Sequence, residues 1–281
     1  MKNSPAEETK KIWRAIELSR HPKRPYTLDY LEHMFSDYEE LKGDRSFADD
    51  PALITGVGTL KKSGKTFTEK KVFFIGHQKG RNTKEKIHRN FGMAKPEGYR
   101  KACRMFDLAE RFKRPIITFI DTPGAYPGVG AEQRGQAEAI GASIAKMLEC
   151  KSPSVGVVLG EGGSGGALAI GVPDSLLMLE NSTYSVISPE SCAAILWGTA
   201  SEAKRAAVSL KPRAVDVKSL GICDEVIKEI GAGAHEDPAK MAATLLKRIH
   251  HHFAKLEKMT APARMKKRYE KYRLLDEHIL S

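Results

Sequence analysis

Two glycine-rich stretches carry the chemistry that this chain's residue types allow: GEGGSGG at 160–166 and DTPGAYPGVG at 121–130. The first satisfies the G-x-S-x-G spacing of a nucleophile elbow, with Ser164 as the nucleophile, and Asp216 or Asp224 and then His235 follow in hydrolase order. The glycines favour a different chemistry. An elbow needs small residues beside its serine, yet glycine also stands at 160 and 163, so the end of this segment has almost no Cβ atoms. Bare backbone lets a ligand approach main-chain N–H groups, and N–H groups at a helix start favour negative charge. Two such turns on neighbouring strands would converge in one crevice and suit an enolate or oxyanion. The blander reading is that they are tight turns with close helix–strand packing. A third candidate, GTLKKSGKT, falls short of a phosphate loop because five residues separate Gly58 from Gly64 where four are required, and no helical pattern follows. It reads as a hairpin turn.

The elements that must hold these turns alternate along the chain. Residues 5–21 read as an amphipathic helix, and Thr27 reads as the N-cap of a second helix running through TLDYLEHMFSDYEEL. The runs LITGVGTL and KKVFFIGHQ, joined by a polar linker, predict a hairpin. After it come a helix over PEGYRKACRMFDLAERF, the strand PIITFID, a helix from about Ala131, the strand SVGVVLG, a short helix after Gly166 and the strand SLLMLE. Ser188-Pro189 opens another helix, VDVKSLGICDEVIKEI is a helix followed by a strand, and a long charged helix runs from Asp237. This order predicts βαβ crossovers and mostly parallel pairing.

At 281 residues, with 41% hydrophobic and 29% charged residues, the composition is that of a globular protein, read as one domain. No apolar run reaches membrane-spanning length and the N-terminus has no apolar signal core, so a cytoplasmic location is expected. Four dispersed cysteines, Cys103, Cys150, Cys192 and Cys223, read as free thiols, and no ligand cluster predicts a metal. His250, His251 and His252 read as part of a solvated helix face. The net charge of +11 attracts anions, concentrated in residues 77–104 and in the tail KKRYEKYR from Lys266. Without aromatic stacking motifs or a DNA-binding module, that charge alone does not predict specific nucleic-acid binding.

The stretches RPYTLDYLEHMF, GHQKGRNTKEKIHRNFGMAKPEGYRKA, ITFIDTPGAYPGVGAEQRGQ, GEGGSGGALAIGV and STYSVISPESCAAILW resemble, in order, the α subunit of bacterial acetyl-CoA carboxylase carboxyltransferase. The resemblance covers nearly all of the chain from about residue 20 to 240. It implies an α/β crotonase-type fold, a superhelix of repeated ββα units with flanking N- and C-terminal helices, divided as residues 1–25, 26–240 and 241–281. It implies carboxyl transfer from carboxybiotin on a biotin carboxyl carrier protein to acetyl-CoA, giving malonyl-CoA for fatty-acid synthesis. The implied partner is a β subunit in an α2β2 assembly, with biotin carboxylase in the larger complex; ATP is used on a different subunit and no membrane is involved. The α chain alone is then inactive, and zinc belongs to the β subunit, whose C-x-x-C ribbon this sequence lacks.

For the site, the resemblance implies that Gly165 and Gly166 give backbone N–H groups to the ureido oxygen of biotin. Gly124, Ala125, Gly162 and Gly163 are expected to line the same pocket, and Ser164 becomes a spacer. Lys79 and Arg81, with Lys84 and Lys86, are expected to meet CoA phosphates or the β subunit. Two features depart from the family pattern: a shorter segment before RPYTLDY, and the insertion KKSGKTFTEKK in the early hairpin.

Overall fold

The computed structural model describes residues 4–275 and begins with helix α1 (Pro5–Ser19). Ser4 and Glu7 cap it reciprocally, each side chain accepting from the other's backbone N–H. Helix α2 (Thr27–Met34) departs from expectation at both ends. Tyr26, not Thr27, is its N-cap, with Asp29 accepting from Tyr26 N at 2.6 Å, while the Thr27 hydroxyl donates to His77 O at 2.6 Å. At its far end the helical pattern gives way to a strand, β1 (Phe35–Glu40). Antiparallel pairing with β2 (Leu53–Leu60) wins there, since strand formation depends on neighbours more than on local propensity.

Strand β2 and β3 (Lys70–His77) form the predicted hairpin, in register from Leu53 opposite His77 to Leu60 opposite Lys70. A bridge between Ser63 and Phe67 closes its tip, with Gly64 at φ +61°, so the lysine-rich stretch is a turn and not a phosphate loop. There follow α3 (Thr83–His88), α4 (Pro96–Phe112), β4 (Ile116–Thr122), α5 (Val129–Gln133), α6 (Gln136–Glu149), β5 (Ser154–Gly163) and α7 (Ser164–Leu168). The helix expected from Ala131 is thus two, interrupted at Gly135 with φ +79°. The chain continues through β6 (Ser175–Leu179), β7 (Thr183–Ser185), α8 (Pro189–Trp197), α9 (Ala203–Leu210), α10 (Ala214–Ser219) and β8 (Glu225–Ile227). The charged C-terminal stretch is also two helices, α11 (Pro238–Leu256) and α12 (Ala261–Arg273), separated where Thr260 caps a new start with Pro262 behind it.

The strands form one mixed sheet ordered β1-β2-β3-β4-β5-β6-β8, parallel from β3 onward. Strand β5 spans ten residues and changes partner along its length, pairing β6 through Val155–Val158 and β7 through Glu161–Gly163. That change of partner starts the spiral of strand pairs and helices. Phe73 and Phe74, adjacent on β3, enter opposite cores. One core lies under α4 and α6 with Tyr99, Met105, Phe106 and Met147; the other lies under α2 and α11 with Leu31, Leu245, Ile249 and Phe253. Cover on both faces explains why the central strands read as continuous apolar runs.

Helix α11 therefore walls the core, and the expected boundary at residue 241 falls inside it. The same packing overturns the solvated reading of the histidines. His250 is buried, bonded through Nε2 to Lys61 O at 2.9 Å and stacked on Phe67, and His252 is buried against Glu225 at 2.8 Å. The basic tail is only partly solvated: buried Arg268 donates to Met147 O and Cys150 O, both at 2.6 Å, and so caps the end of α6.

Candidate active site

Parallel strands deliver their C-terminal ends to one edge, and three ends meet there. Strand β4 ends in Thr122, whose hydroxyl accepts from Gly124 N at 3.1 Å and donates to Gly124 O at 2.7 Å. The turn closes with Tyr126 N donating to Ala94 O, while Gln136 holds both Ala94 O and Tyr126 O at 2.9 Å. Gly124 N–H is thus engaged inside the turn, and Ala125 N–H has no hydrogen bond among the described residues.

Strand β5 ends against that turn. A Cβ on Gly163 would stand 2.2 Å from Pro123 O, and one on Gly166 would stand 2.6 Å from Ala125 N and Gly124 C. A Cβ on Gly162 would meet the Tyr184 ring at 2.3 Å. The absence of side chains here serves first to let two turns touch, as the packing reading supposed. Gly165 differs, since a Cβ there would make an ordinary 3.5 Å contact with Ile140. Helix α7 starts at Ser164, not after Gly166 as expected, and no side chain caps it. Its first N–H groups, including those of Gly165 and Gly166, have no acceptor within the helix. With only five residues the helix has little dipole, so the individual N–H groups must do the work.

Ser164 takes φ +55°, the strained backbone of an elbow, and is exposed. None of its expected helpers is bonded to it. Asp216 is held by Arg213, Asp224 by Leu176 N and Lys271, and His235 stacks on His21 with ring centroids 3.8 Å apart. Beside Ser164 and Gly165 opens a pocket of about 320 Å³, walled by Leu168, Tyr184, Val186, Lys211 and Leu220.

On the other side of the turns lies a charged cluster that sequence reasoning missed. Lys79 is paired with Asp121 at 2.7 Å and Glu161 at 2.8 Å; Glu161 also binds Arg20 at 2.7 Å, and Arg20 binds Glu190 at 2.6 Å. Asp121 further accepts from Glu161 N at 3.0 Å. Burial alone would lower the Lys79 ammonium, but the two carboxylates outweigh it and hold it charged, well above its usual range. Burial likewise would raise the Glu161 carboxyl, and Lys79 and Arg20 more than offset that, holding it below the usual carboxylate range. Arg81 is equally committed, to Asp29, to Pro22 O and Arg24 O, and to the face of Tyr26 at 4.1 Å. Lys84 and Lys86, on α3, carry no ion pair among the described residues. The sequence offered one signal for the cluster: acidic and basic residues at the ends of three apolar strands, at His77-Gln78-Lys79, Asp121 and Glu161.

Among the described residues no three His, Cys, Asp or Glu converge to hold a metal, and no helix is long and apolar enough to cross a membrane. The fold matches solved structures at low sequence identity. A Pseudomonas malonate decarboxylase hetero-tetramer in complex with coenzyme A superimposes with a TM-score of 0.66 at 16% identity, over 89% of this chain and 98% of that one. The transcarboxylase 12S core gives 0.63 at 16% identity, over 84% of this chain and 43% of that one. By sequence, residues 6–276 match the family model described as acetyl co-enzyme A carboxylase carboxyltransferase-like. The acetyl-coenzyme A carboxylase carboxyl transferase subunit alpha of Pseudomonas fluorescens Pf0-1 is 54% identical over 92% of this chain and 80% of its own length. The same subunit of Pseudomonas aeruginosa UCBPP-PA14 is 55% identical, with the same coverage. With glycine turns, parallel strand ends and sequence all agreeing, the chain belongs to the acetyl-CoA carboxylase carboxyltransferase family, on the α-subunit side.

Proposed function

We propose that this chain is the α half of a carboxyltransferase that moves a carboxyl group from carboxybiotin to acetyl-CoA, giving malonyl-CoA. Carrier-bound carboxybiotin supplies the carboxyl group and, once that group leaves, a ring nitrogen able to take a proton from the acetyl methyl. Gly165 and Gly166 donate their N–H groups to the ureido oxygen, where negative charge grows, and Ala125 N–H lies in the adjoining turn. The residues fit such a group: uncapped N–H donors open beside a pocket of about 320 Å³ whose walls are largely apolar, as a bicyclic ring with an aliphatic arm requires. That pairing of bare donors and apolar pocket is the observation that carries the reading. A side-chain base is not needed, and the exposed Ser164 has no base bonded to it.

A partner completes the site. Helix α8 has its polar residues, Glu190 and Ser191, in its first turn, and beyond them Ile195 is 75% and Leu196 61% exposed, with Val186 nearby in sequence at 74%. Large apolar side chains exposed together mark an interaction surface, which supports burial against a β subunit in an α2β2 assembly. Of the four cations expected to meet CoA phosphates or that subunit, Lys84 and Lys86 are the two without an ion pair among the described residues, whereas Lys79 and Arg81 shape the site from within. The substrates are water-soluble, and the reaction belongs in the cytoplasm.

The test is malonyl-CoA formation from acetyl-CoA and carboxybiotin, with this chain alone, with its β partner, and with Gly166→Val in place of the natural chain. Turnover that needs both chains and fails in the variant is expected. An inactive mixture, together with ester cleavage by this chain through Ser164, would replace the reading with a serine hydrolase.

A further inference from the structure

Strand β5 does not run evenly past β4. Ile120 stands opposite Val158 but Thr122 stands opposite Gly162, so Asp121 alone on β4 faces Leu159, Gly160 and Glu161 on β5. On the other edge the pairing with β6 stops at Val158 and that with β7 begins at Glu161. Leu159 and Gly160 therefore fall between paired registers on both sides. A bulge of this kind interrupts the ladder and re-aims the strand beyond it, and its buried backbone groups need other partners.

Two buried charged side chains supply them. Asp121, 1% exposed, accepts from Glu161 N at 3.0 Å through Oδ1. Arg24, equally buried, donates from Nε to Leu159 O at 2.6 Å. Each has its own counter-charge: Lys79 Nζ lies 2.7 Å from Asp121 Oδ1, and Glu229 accepts from the Arg24 guanidinium at 2.6 and 3.0 Å. Glu229 also accepts from Asn181 N at 2.9 Å, just before β7, which joins the bulge to the strand that takes over the pairing. Nothing larger than glycine fits at 160, because a Cβ there would stand 2.6 Å from Asp121 Oδ1.

The consequence falls on the glycine turn. In an even register Gly160 would stand opposite Thr122, and Gly165 and Gly166 would lie two residues further along, about 6–7 Å at the rise of a strand. They would then miss the β4 turn that they now touch. We infer that Asp121 is a positioning residue of the glycine turn: its carboxylate oxygen stands in for the ladder partner that Glu161 N lacks, and so fixes how far β5 reaches before α7 begins. This rests on the reading of Gly165 and Gly166 as donors. It assigns Asp121 no contact with substrate and no proton transfer. What matters is where the oxygen stands, and Lys79 makes a buried charge tolerable there.

The test uses the complex with the β subunit and three variants. Asp121→Ala removes the acceptor, Asp121→Asn keeps an oxygen in its place without the charge, and Asp121→Glu keeps the charge beside Lys79 but moves the oxygens by a methylene. A misplacement of about 1 Å costs on the order of a hundredfold in turnover, so Asp121→Ala is expected to lower kcat by about 10- to 100-fold. Its KM for acetyl-CoA should stay within about twofold, because the lost alignment matters in the transition state. Asp121→Asn should recover most of kcat and Asp121→Glu should not. Hydrogen exchange over residues 159–163, followed by mass spectrometry, should quicken about tenfold or more in Asp121→Ala and stay slow in Asp121→Asn, with residues 154–158 unchanged in both. Unchanged kcat in Asp121→Ala, or Glu serving as well as Asn, would overturn the inference, the latter showing that the ion pair alone matters. Should Asp121→Ala fail to fold, the order of Asn and Glu decides: higher kcat in Asn supports the positioning role, and an equal or reversed order removes it. Absence of transfer in the unaltered complex would instead defeat the functional reading, and the exchange contrast would still decide whether Asp121 holds the bulge.

Discussion

Replacing Gly166 by alanine should do far more damage than replacing its neighbour Gly165, although the two differ by one position in a bare helix. At Gly166 the new methyl group would stand 2.6 Å from Ala125 N and from Gly124 C, both main-chain atoms that cannot swing aside. An ordinary contact is about 3.5 Å or more, so the two turns must part by roughly 1 Å. Forcing one extra methyl into a packed site costs about 1–3 kcal/mol. For a chain of this size that is a drop of about 2–4 °C in Tm for each kcal/mol. The same 1 Å shift separates the proposed donors, Gly165 and Gly166, from Ala125, and a loss of about a hundredfold in kcat is expected. At Gly165 the methyl group meets only Ile140, at 3.5 Å, and φ is not positive. Gly165→Ala should therefore melt at or slightly above the unaltered protein, by up to about 1 kcal/mol, since alanine restricts the unfolded chain. The assay is paired: thermal melting of each variant, and malonyl-CoA formation after assembly with β. Equal behaviour of the two variants in both measurements would refute the steric reasoning and the placement of the turns.

Other expectations follow from the same geometry. Ser164→Gly should raise Tm by a few degrees, because a left-handed non-glycine residue costs about 1–2 kcal/mol, and Ser164→Ala should retain carboxyl transfer within a few fold. Loss of all turnover in Ser164→Ala would restore the nucleophile reading. Lys79→Met leaves buried Asp121 without its cation and Glu161 with Arg20 alone, and should cost about 3–5 kcal/mol, read by denaturant melts. The pH dependence has a definite sign. Glu161 and Glu190 are held below their usual range in the folded chain, so their contribution is complete above about pH 4.3 and fades as pH falls through the depressed values. Stability should fall steeply only in acid, and Lys79→Met should move that fall to higher pH. Unchanged acid profiles in the variant would show that the cluster does not bind its protons as drawn.

The hairpin, the parallel core strands and both glycine turns were legible because local pattern decides them: apolar runs bounded by turn residues. Strand β1 was not, since LDYLEHMF keeps a helical rhythm through Phe35 and only the ladder with β2 ends it. The histidines 250 and 252 were misplaced for a similar reason. Spacing says which residues share a helix face, not what packs over it, and here β8 and the hairpin do so through Glu225 and Lys61. Arg20, Lys79, Asp121, Glu161 and Glu190 stand up to 170 residues apart, so no motif could announce their union. The bareness of the glycine turns was legible, but one of its reasons was not. Gly163 and Gly166 are bare because two turns touch there, whereas Gly165 faces a side chain at ordinary distance.

The proposed site, made of peptide N–H groups, offers electrophilic inhibitors very little to attack. Cys150 and Cys223 are buried, with thiols pushed up by that burial to about 11, and Ser164 has no base to sharpen it. Alkylating reagents should therefore reach chiefly the half-buried Cys103 and Cys192, on α4 and α8 and outside the glycine turns. A blocker suited to this protein would be a reversible one: a flat, partly anionic oxygen for the glycine turn, joined to an aliphatic arm for the pocket beside Leu168 and Leu220. Resistance would then have a narrow path, because side-chain substitutions can reshape the pocket walls but cannot remove a backbone donor.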